Sequence, residues 1–286
     1  FRIRAFTASV VAIFLAAMGF FAAIVFLPRW YQVVAGSSAT ESGYQILPLL
    51  GGLIISAVVS GQIVARTGRY KTLILGSLVV LALGLFLLTN LRPDTSRPLV
   101  WLWMAIAGLG IGPTLAVFTL IVQNSVPVRQ LGAATSNVTL FQQLGGTVGL
   151  AITGTIFGTR LLEEVPRQMT AAGVPDPVVA GFSAGGGSTL NDVSAVGDLG
   201  ASILADVPEQ FRAQVEPFVP AIVDGIHQAF SIATAATFGV GIITALLAAL
   251  LVLVVLPARR MGEGTEASEA PEPVVPSYGG LDPSTE

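Results

Sequence analysis

Six stretches of the chain run for at least 20 residues without Asp, Glu, Lys or Arg: Phe6–Leu27, Tyr44–Ala65, Thr72–Leu91, Leu99–Val122, Ala133–Thr159 and Ala229–Leu256. Crossing roughly 30 Å of hydrocarbon takes about 20 apolar residues in a helix that rises 1.5 Å per residue. A charge at mid-span costs at least about 2.5–3.5 kcal/mol on insertion scales, so uncharged runs of this length suit lipid. Each run is one long segment, unlike the roughly ten-residue alternating strand of a membrane barrel. The pattern therefore predicts an all-α fold, a multi-pass membrane bundle of six transmembrane helices.

Between the runs lie residues 28–43, 66–71, 92–98 and 123–132, then a long polar segment, 160–228, and a tail, 257–286. The expected division is 1–162 for helices one to five with short loops, 163–226 for an extracytoplasmic loop, 227–257 for helix six, and 258–286 for the tail. Within the long loop, GFSAGGGSTLND reads as a flexible linker. Pro208–Ile226 alternates apolar and charged residues at roughly helical spacing, which predicts a short amphipathic helix on the outer surface. The tail contains EGTEASEAPEPVVPS and is expected to be disordered.

Arginine and lysine set the expected orientation. Arg2, Arg4, Arg66, Arg69, Lys71, Arg129, Arg259 and Arg260 fall on the N-terminal side, against Arg29, Arg92 and Arg97 in the opposite short loops. Both termini are thus expected in the cytoplasm, in a plasma (inner) membrane, with the long loop outside.

Composition narrows the chemistry. The chain is 53% hydrophobic and 11% charged, whereas a soluble domain carries about 25% charged residues. An ordinary soluble enzyme and a disordered protein are excluded. A net charge of −3 argues against a nucleic-acid surface. There is no cysteine, and His227 is the single histidine, so thiolate chemistry and a His-based zinc site find no ligands. No cofactor or metal is expected. The chain starts with Phe1 and runs at once into an apolar stretch too long for a signal peptide, which suggests a piece of a longer protein.

The connector between the second and third runs is the most informative motif. Gly61, Arg66, Gly68, Arg69 and Lys71 describe a tight hairpin in which Gly68 is free to take positive φ and the cations can reach helix-end carbonyls. A positive-inside anchor would explain the charge alone. The spacing resembles the loop signature of the major facilitator superfamily, G-x-x-x-D-R-x-G-R-R/K, with Ala65 where that family usually has Asp and Lys71 one place beyond its final R/K position. FRIRAFTAS, SATESGYQILPLL, GLGIGPTLAVFTLIVQNSVP and LGAATSNVTLFQQLGGTVGLAITGTIF, taken in order, are similar to the last six helices of fourteen-span drug:proton antiporters. The resemblance covers roughly residues 1–260. It implies half of a transporter whose N-terminal spans are absent here. It also implies small amphipathic substrates held between the halves near the midplane, and protons as the coupled ion.

Other residues are candidates on chemical grounds. Gly52, Ser56 and Ser60, then Gly108, Gly112 and Ala116, then Gly145, Gly149 and Thr153, lie four apart, and Gly154 and Gly158 extend the theme. Such spacing places small residues on one helix face for close packing. Pro113 removes a backbone hydrogen bond near mid-span and predicts a kink. Asn137, Thr139, Gln142 and Gln143 put polar groups inside the fifth run, as candidates to line a cavity or to bond between helices. No run holds a carboxylate, so proton coupling would need a titrating group elsewhere. Gly181–Gly185 fits G-x-S-x-G around Ser183, with Asp198, Asp206, Asp224 and His227 following, but a Gly-rich loop offers no sheet for a hydrolase elbow. The competing reading is a non-transporting scaffold, or a homodimeric bundle that binds a partner through its outer loop.

Overall fold

The computed structural model describes residues 4–124, 126–185 and 215–256, with 200, 203 and 212 besides. The elements are α1 (Arg4–Val33), α2 (Ala39–Gln45), α3 (Leu47–Thr67), α4 (Lys71–Leu88), α5 (Arg97–Asn124), α6 (Leu131–Ala171), α7 (Asp176–Gly185) and α8 (Val219–Val255). All regular structure among the described residues is helical.

Among the described residues, five segments are long and apolar enough to cross a bilayer: Phe6–Val33, Ala39–Thr67, Lys71–Leu88, Arg97–Asn124 and Glu216–Val255. The expected fifth span, Ala133–Thr159, lies wholly inside α6, which is 41 residues long. α6 is not among those five. Its middle spends helix length on Gln142, Gln143 and a run of Gly and Thr where the others have Leu, Ile and Val.

Several helices outrun the expected limits. α1 continues through Pro28 and Arg29 to Val33. Ser38 then starts α2 with a reciprocal capping box: its Oγ accepts from the Glu41 N–H, and the Glu41 carboxylate accepts from the Ser38 N–H at 2.9 Å. α6 carries on past 162 to Ala171. There Arg160–Glu163 and Arg167–Glu164 pair three residues apart, and Gly173, at φ 88°, turns the chain. The described part of the expected amphipathic helix, 216–226, forms a 3₁₀ turn at Glu216–Phe218 and the start of α8; it is continuous with the last long helix. Pro217 and Pro220, which lack N–H donors, fit a helix start. Residues 208–211 and 213–214, the linker beyond Gly185 and the tail from 257 lie outside the described residues.

The bundle closes around α1, which packs on α5, α6 and α8, while α4 joins α5 to α8. α3 sits on the far side of α5, and α6 against α1 and α8, so these two helices form the edges. Burial runs opposite to that of a soluble domain. Ala12, Ile13, Ala16, Ala22 and Leu27 of α1 are buried, whereas Ile54, Ile55 and Val58 of α3, and Ile243, Leu246 and Leu250 of α8, are exposed. Large apolar side chains in contiguous outward stripes are costly in water and at home in hydrocarbon. The protein is a membrane helix bundle.

Candidate functional site

α6 carries two rows at four-residue spacing. Gly145, Gly149, Thr153 and Phe157 are buried. A Cβ on Gly145 would strike the Phe14 carbonyl of α1, and one on Gly149 would sit 2.5 Å from Met18 Cα. Farther along, the Phe157 ring lies 5.1 Å from Phe26 and 5.0 Å from Phe230. Two residues away in phase, hence about 200° around the helix, runs the second row: Thr135, Thr139, Gln143, Thr147, Thr155 and Thr159, with Ala151 in its gap. All are exposed except the half-buried Thr135.

The hydroxyls of this polar row are largely satisfied by their own helix. Thr135, Thr139, Thr147 and Thr155 donate to the carbonyls of Leu131, Thr135, Gln143 and Ala151 at 2.9, 3.3, 2.9 and 3.0 Å. The Gln143 amide has no such partner among the described residues. An unpaired amide in hydrocarbon costs several kcal/mol, so this face suits water or a polar surface. The four polar candidates of this helix therefore separate. Thr139 and Gln143 share the outward row. Gln142 is half-buried on an adjoining face, and Asn137, also half-buried, donates Nδ2–H to the Ala133 carbonyl at 2.8 Å. Leu140, Leu144, Val148 and Ile152 border the row as an exposed apolar strip.

The connector has a defined geometry. Gly68 ends α3 at φ 66°, its N–H bonded to the Val64 carbonyl at 2.8 Å. Left-handed backbone of this kind is what favours glycine. Arg66 and Arg69 are exposed, and Gly61 has open space beside it. Lys71, at the start of α4, is the cation that reaches helix-end carbonyls. Its Nζ donates to Leu253 at 2.9 Å and to Leu256 at 2.6 Å, both at the end of α8.

Small residues bring α3 and α5 together. A Cβ on Gly108 would strike the Leu49 carbonyl, one on Gly112 the Ser56 hydroxyl, and one on Gly52 would lie 2.6 Å from the Ala105 carbonyl. Ser56 Oγ donates to the Leu53 carbonyl at 3.1 Å and to that of Gly108 at 3.4 Å. Pro113 is buried beside them, and α5 continues through it. Gly154 and Gly158 face open space instead. Two contacts carry no periodic signal in the sequence: Gly19 of α1 against Gly241 of α8, and Gly84 of α4 against Ala107 of α5.

Residues 181–185, the G-x-S-x-G stretch, are helical in α7, whereas the hydrolase elbow is a strand–turn–helix. Asp198 and Asp206 lie outside the described residues. His227 sits two turns inside α8 and one turn before Ser231, which accepts a buried 2.8 Å hydrogen bond from Trp30 Nε1 of α1. Among the described residues, no group of three or more His, Cys, Asp or Glu side chains is placed to hold a metal ion.

Comparison with known proteins decides the family. The sequence model of the Major Facilitator Superfamily matches residues 1–150. The chain belongs to the major facilitator superfamily. A Bacillus subtilis multidrug transporter protein, MdtP, is 31% identical over 235 residues, which cover 80% of this chain and 43% of that protein. An uncharacterized MFS-type transporter of Mycobacterium tuberculosis is 32% identical over 225 residues, 79% of this chain and 29% of its own length. A Streptomyces rimosus tetracycline resistance determinant is 30% identical over 215 residues, 68% and 60% respectively. The chain thus spans less than half the length of the first two. In this major facilitator chain the superfamily match takes in α1 to α5 and the first half of α6, and so includes the connector and the polar row as far as Thr147.

Proposed function

We propose that this chain is one six-helix half of a drug-efflux transporter, which exports small amphipathic compounds across the plasma (inner) membrane in exchange for protons. α6 would be the fifth of its six spans. Both termini would lie in the cytoplasm, with 163–226 outside and 258–286 as a cytoplasmic tail. The observation that carries this reading is the polar row of α6, set opposite the seam that packs on α1. A helix that presents Thr139, Gln143 and Thr147 outward on the edge of an apolar bundle suits a polar cavity shared with another bundle, not lipid. The N-terminal half of the transporter would supply the opposite wall. The bordering Leu140, Leu144 and Val148 would supply apolar contact, and the amide would orient the ligand. The names of the relatives, a multidrug transporter and a tetracycline resistance determinant, support the substrate class.

Proton antiport would draw on a carboxylate outside the six uncharged runs, since none of them holds one. The test is efflux of a fluorescent amphipathic cation from cells that express the full-length protein at matched levels. Gln143→Leu should reduce efflux at least severalfold, and Gln142→Leu should have a smaller effect. Full efflux by Gln143→Leu together with Thr139→Val would overturn this reading.

A further inference from the structure

The polar row and the connector leave one built feature unused: a recess of about 270 Å³ between α4, α6 and α8. It lies at the end of the bundle opposite the α3–α4 connector, where α4 runs out at Leu88. Its rim carries Thr89, Arg92 and Arg160, and its floor Ile232, Ala236 and Gly239, with no carboxylate in the lining. Below it the same side of α8 continues as Ile243, Leu246, Leu247 and Leu250, all exposed.

We propose that this recess binds an anionic glycerophospholipid, its phosphate between Arg92 and Arg160 and one acyl chain laid along α8. Four features support that occupant. Arg92 and Arg160 directly follow the uncharged runs that end at Leu91 and Thr159, where hydrocarbon would give way to headgroups, and each guanidinium offers several N–H donors to phosphate oxygens. Arg92 commits only part of its fork, one Nη1–H, to the Leu91 carbonyl at 2.8 Å. Gly239 leaves the floor open, since a Cβ there would meet nothing within 4 Å. From Ile232 to Ile243 the helix rises about 16 Å, roughly the hydrocarbon depth of one leaflet.

The one competitor shown is Glu163, 3.5 Å from Arg160, with both side chains about half exposed (53% and 47%). An exposed pair three residues apart is weak, so a lipid phosphate displaces it. The net +2 rim then favours anionic over zwitterionic lipid by about fivefold for each arginine.

Native mass spectrometry of the full-length protein, stripped of lipid in detergent, tests this. Phosphatidylglycerol and phosphatidylcholine with identical chains are titrated separately. Phosphatidylglycerol should bind about 25-fold more tightly, fivefold for each of the two arginines. Arg92→Gln with Arg160→Gln should abolish that preference, and Glu163→Gln, which frees Arg160, should increase it. Arg97→Gln removes an exposed arginine outside the recess and should change nothing. Soluble glycerol phosphate should not displace the bound lipid. Equal binding of the two lipids, a preference that survives the double substitution, or an equal loss with Arg97→Gln would each overturn the assignment. Displacement by glycerol phosphate would overturn the acyl-chain half of it.

Discussion

The Lys71 ammonium donates to the carbonyl of Leu256 at 2.6 Å, across 185 positions of sequence. The last carbonyls of a helix have no partner within it and carry the negative end of its dipole. A cation at the first residue of α4 therefore closes the end of α8 and ties the connector to the last long helix. The connector, in this chain, ends in a structural contact.

Lys71→Gln should accordingly lower stability in detergent by about 1 kcal/mol, the contact being partly exposed. Lys71→Arg should restore part of it. Thermal unfolding and the rate of proteolysis near residue 256 measure the effect; unchanged values for Lys71→Gln would mean the contact contributes nothing.

Gly108→Ala should drive α3 away from α5, because the new methyl meets the Leu49 backbone and not a flexible side chain tip. Overpacking of this kind costs about 3 kcal/mol or more. Since α3 holds to the bundle chiefly through α5, the yield of monodisperse protein should fall several-fold. Gly154→Ala, with open space beside it, should leave that yield intact and serves as the control.

Trp30 and Ser231 should show an asymmetric response. Ser231→Ala leaves the buried indole N–H without an acceptor, at a cost of about 1–3 kcal/mol. Trp30→Phe leaves Ser231 still bonded to the His227 carbonyl at 2.8 Å, so any excess cost there reflects lost ring packing against Tyr31. A double-mutant cycle on unfolding should give a coupling of about 1 kcal/mol; additivity would show that the bond is not formed.

This chain has no cysteine, so a cysteine scan of α6 in the full-length protein needs only cysteines outside these 286 residues replaced. Single cysteines at Gln143, Thr147 and Thr155 should react readily with a membrane-impermeant maleimide. Those at Leu144, Val148 and Ile152 should react more slowly, because thiolate forms poorly in apolar surroundings. A four-residue period of reactivity in phase with Gln143 is the expected result; reactivity in phase with Leu144 would place water on the other strip.

Gly68→Val should cost about 1–2 kcal/mol through its positive φ alone, and Gly68→Asn less. Thermal unfolding of the two variants side by side separates backbone strain from loss of the motif's cations, which both variants keep.

Much of this was legible beforehand. Absent charges located the six runs, and each has a long helix at its core, although Tyr44–Ala65 crosses the break at Ile46 and Thr72–Leu91 outlasts α4 by three residues. The four-residue spacing of Gly108 and Gly112 pointed to close packing, which is local helix geometry and needs no partner to be read. The Ser38–Glu41 capping box and the Thr139–Gln143–Thr147 row emerged only with the structure, although both rest on local helix spacing. The limits of α6 and α8 were not legible, because helix continues for several residues after charge returns at Arg160 and before it ends at Asp224; water outside the bilayer does not stop a helix.

The sequence alone determined where lipid is the solvent, how many long helices follow and where glycine must turn the chain, since composition and period act over a few residues. It marked the Gly145 face of α6 for close packing, with nothing to say which helix it packs on. Only the tertiary structure decided that, as it decided that Lys71 meets Leu256 and Trp30 meets Ser231. Between helices in a bilayer no hydrophobic force selects a partner, because lipid is as apolar as leucine; shape and the few available hydrogen bonds select it instead, and these exist only once the helices are side by side.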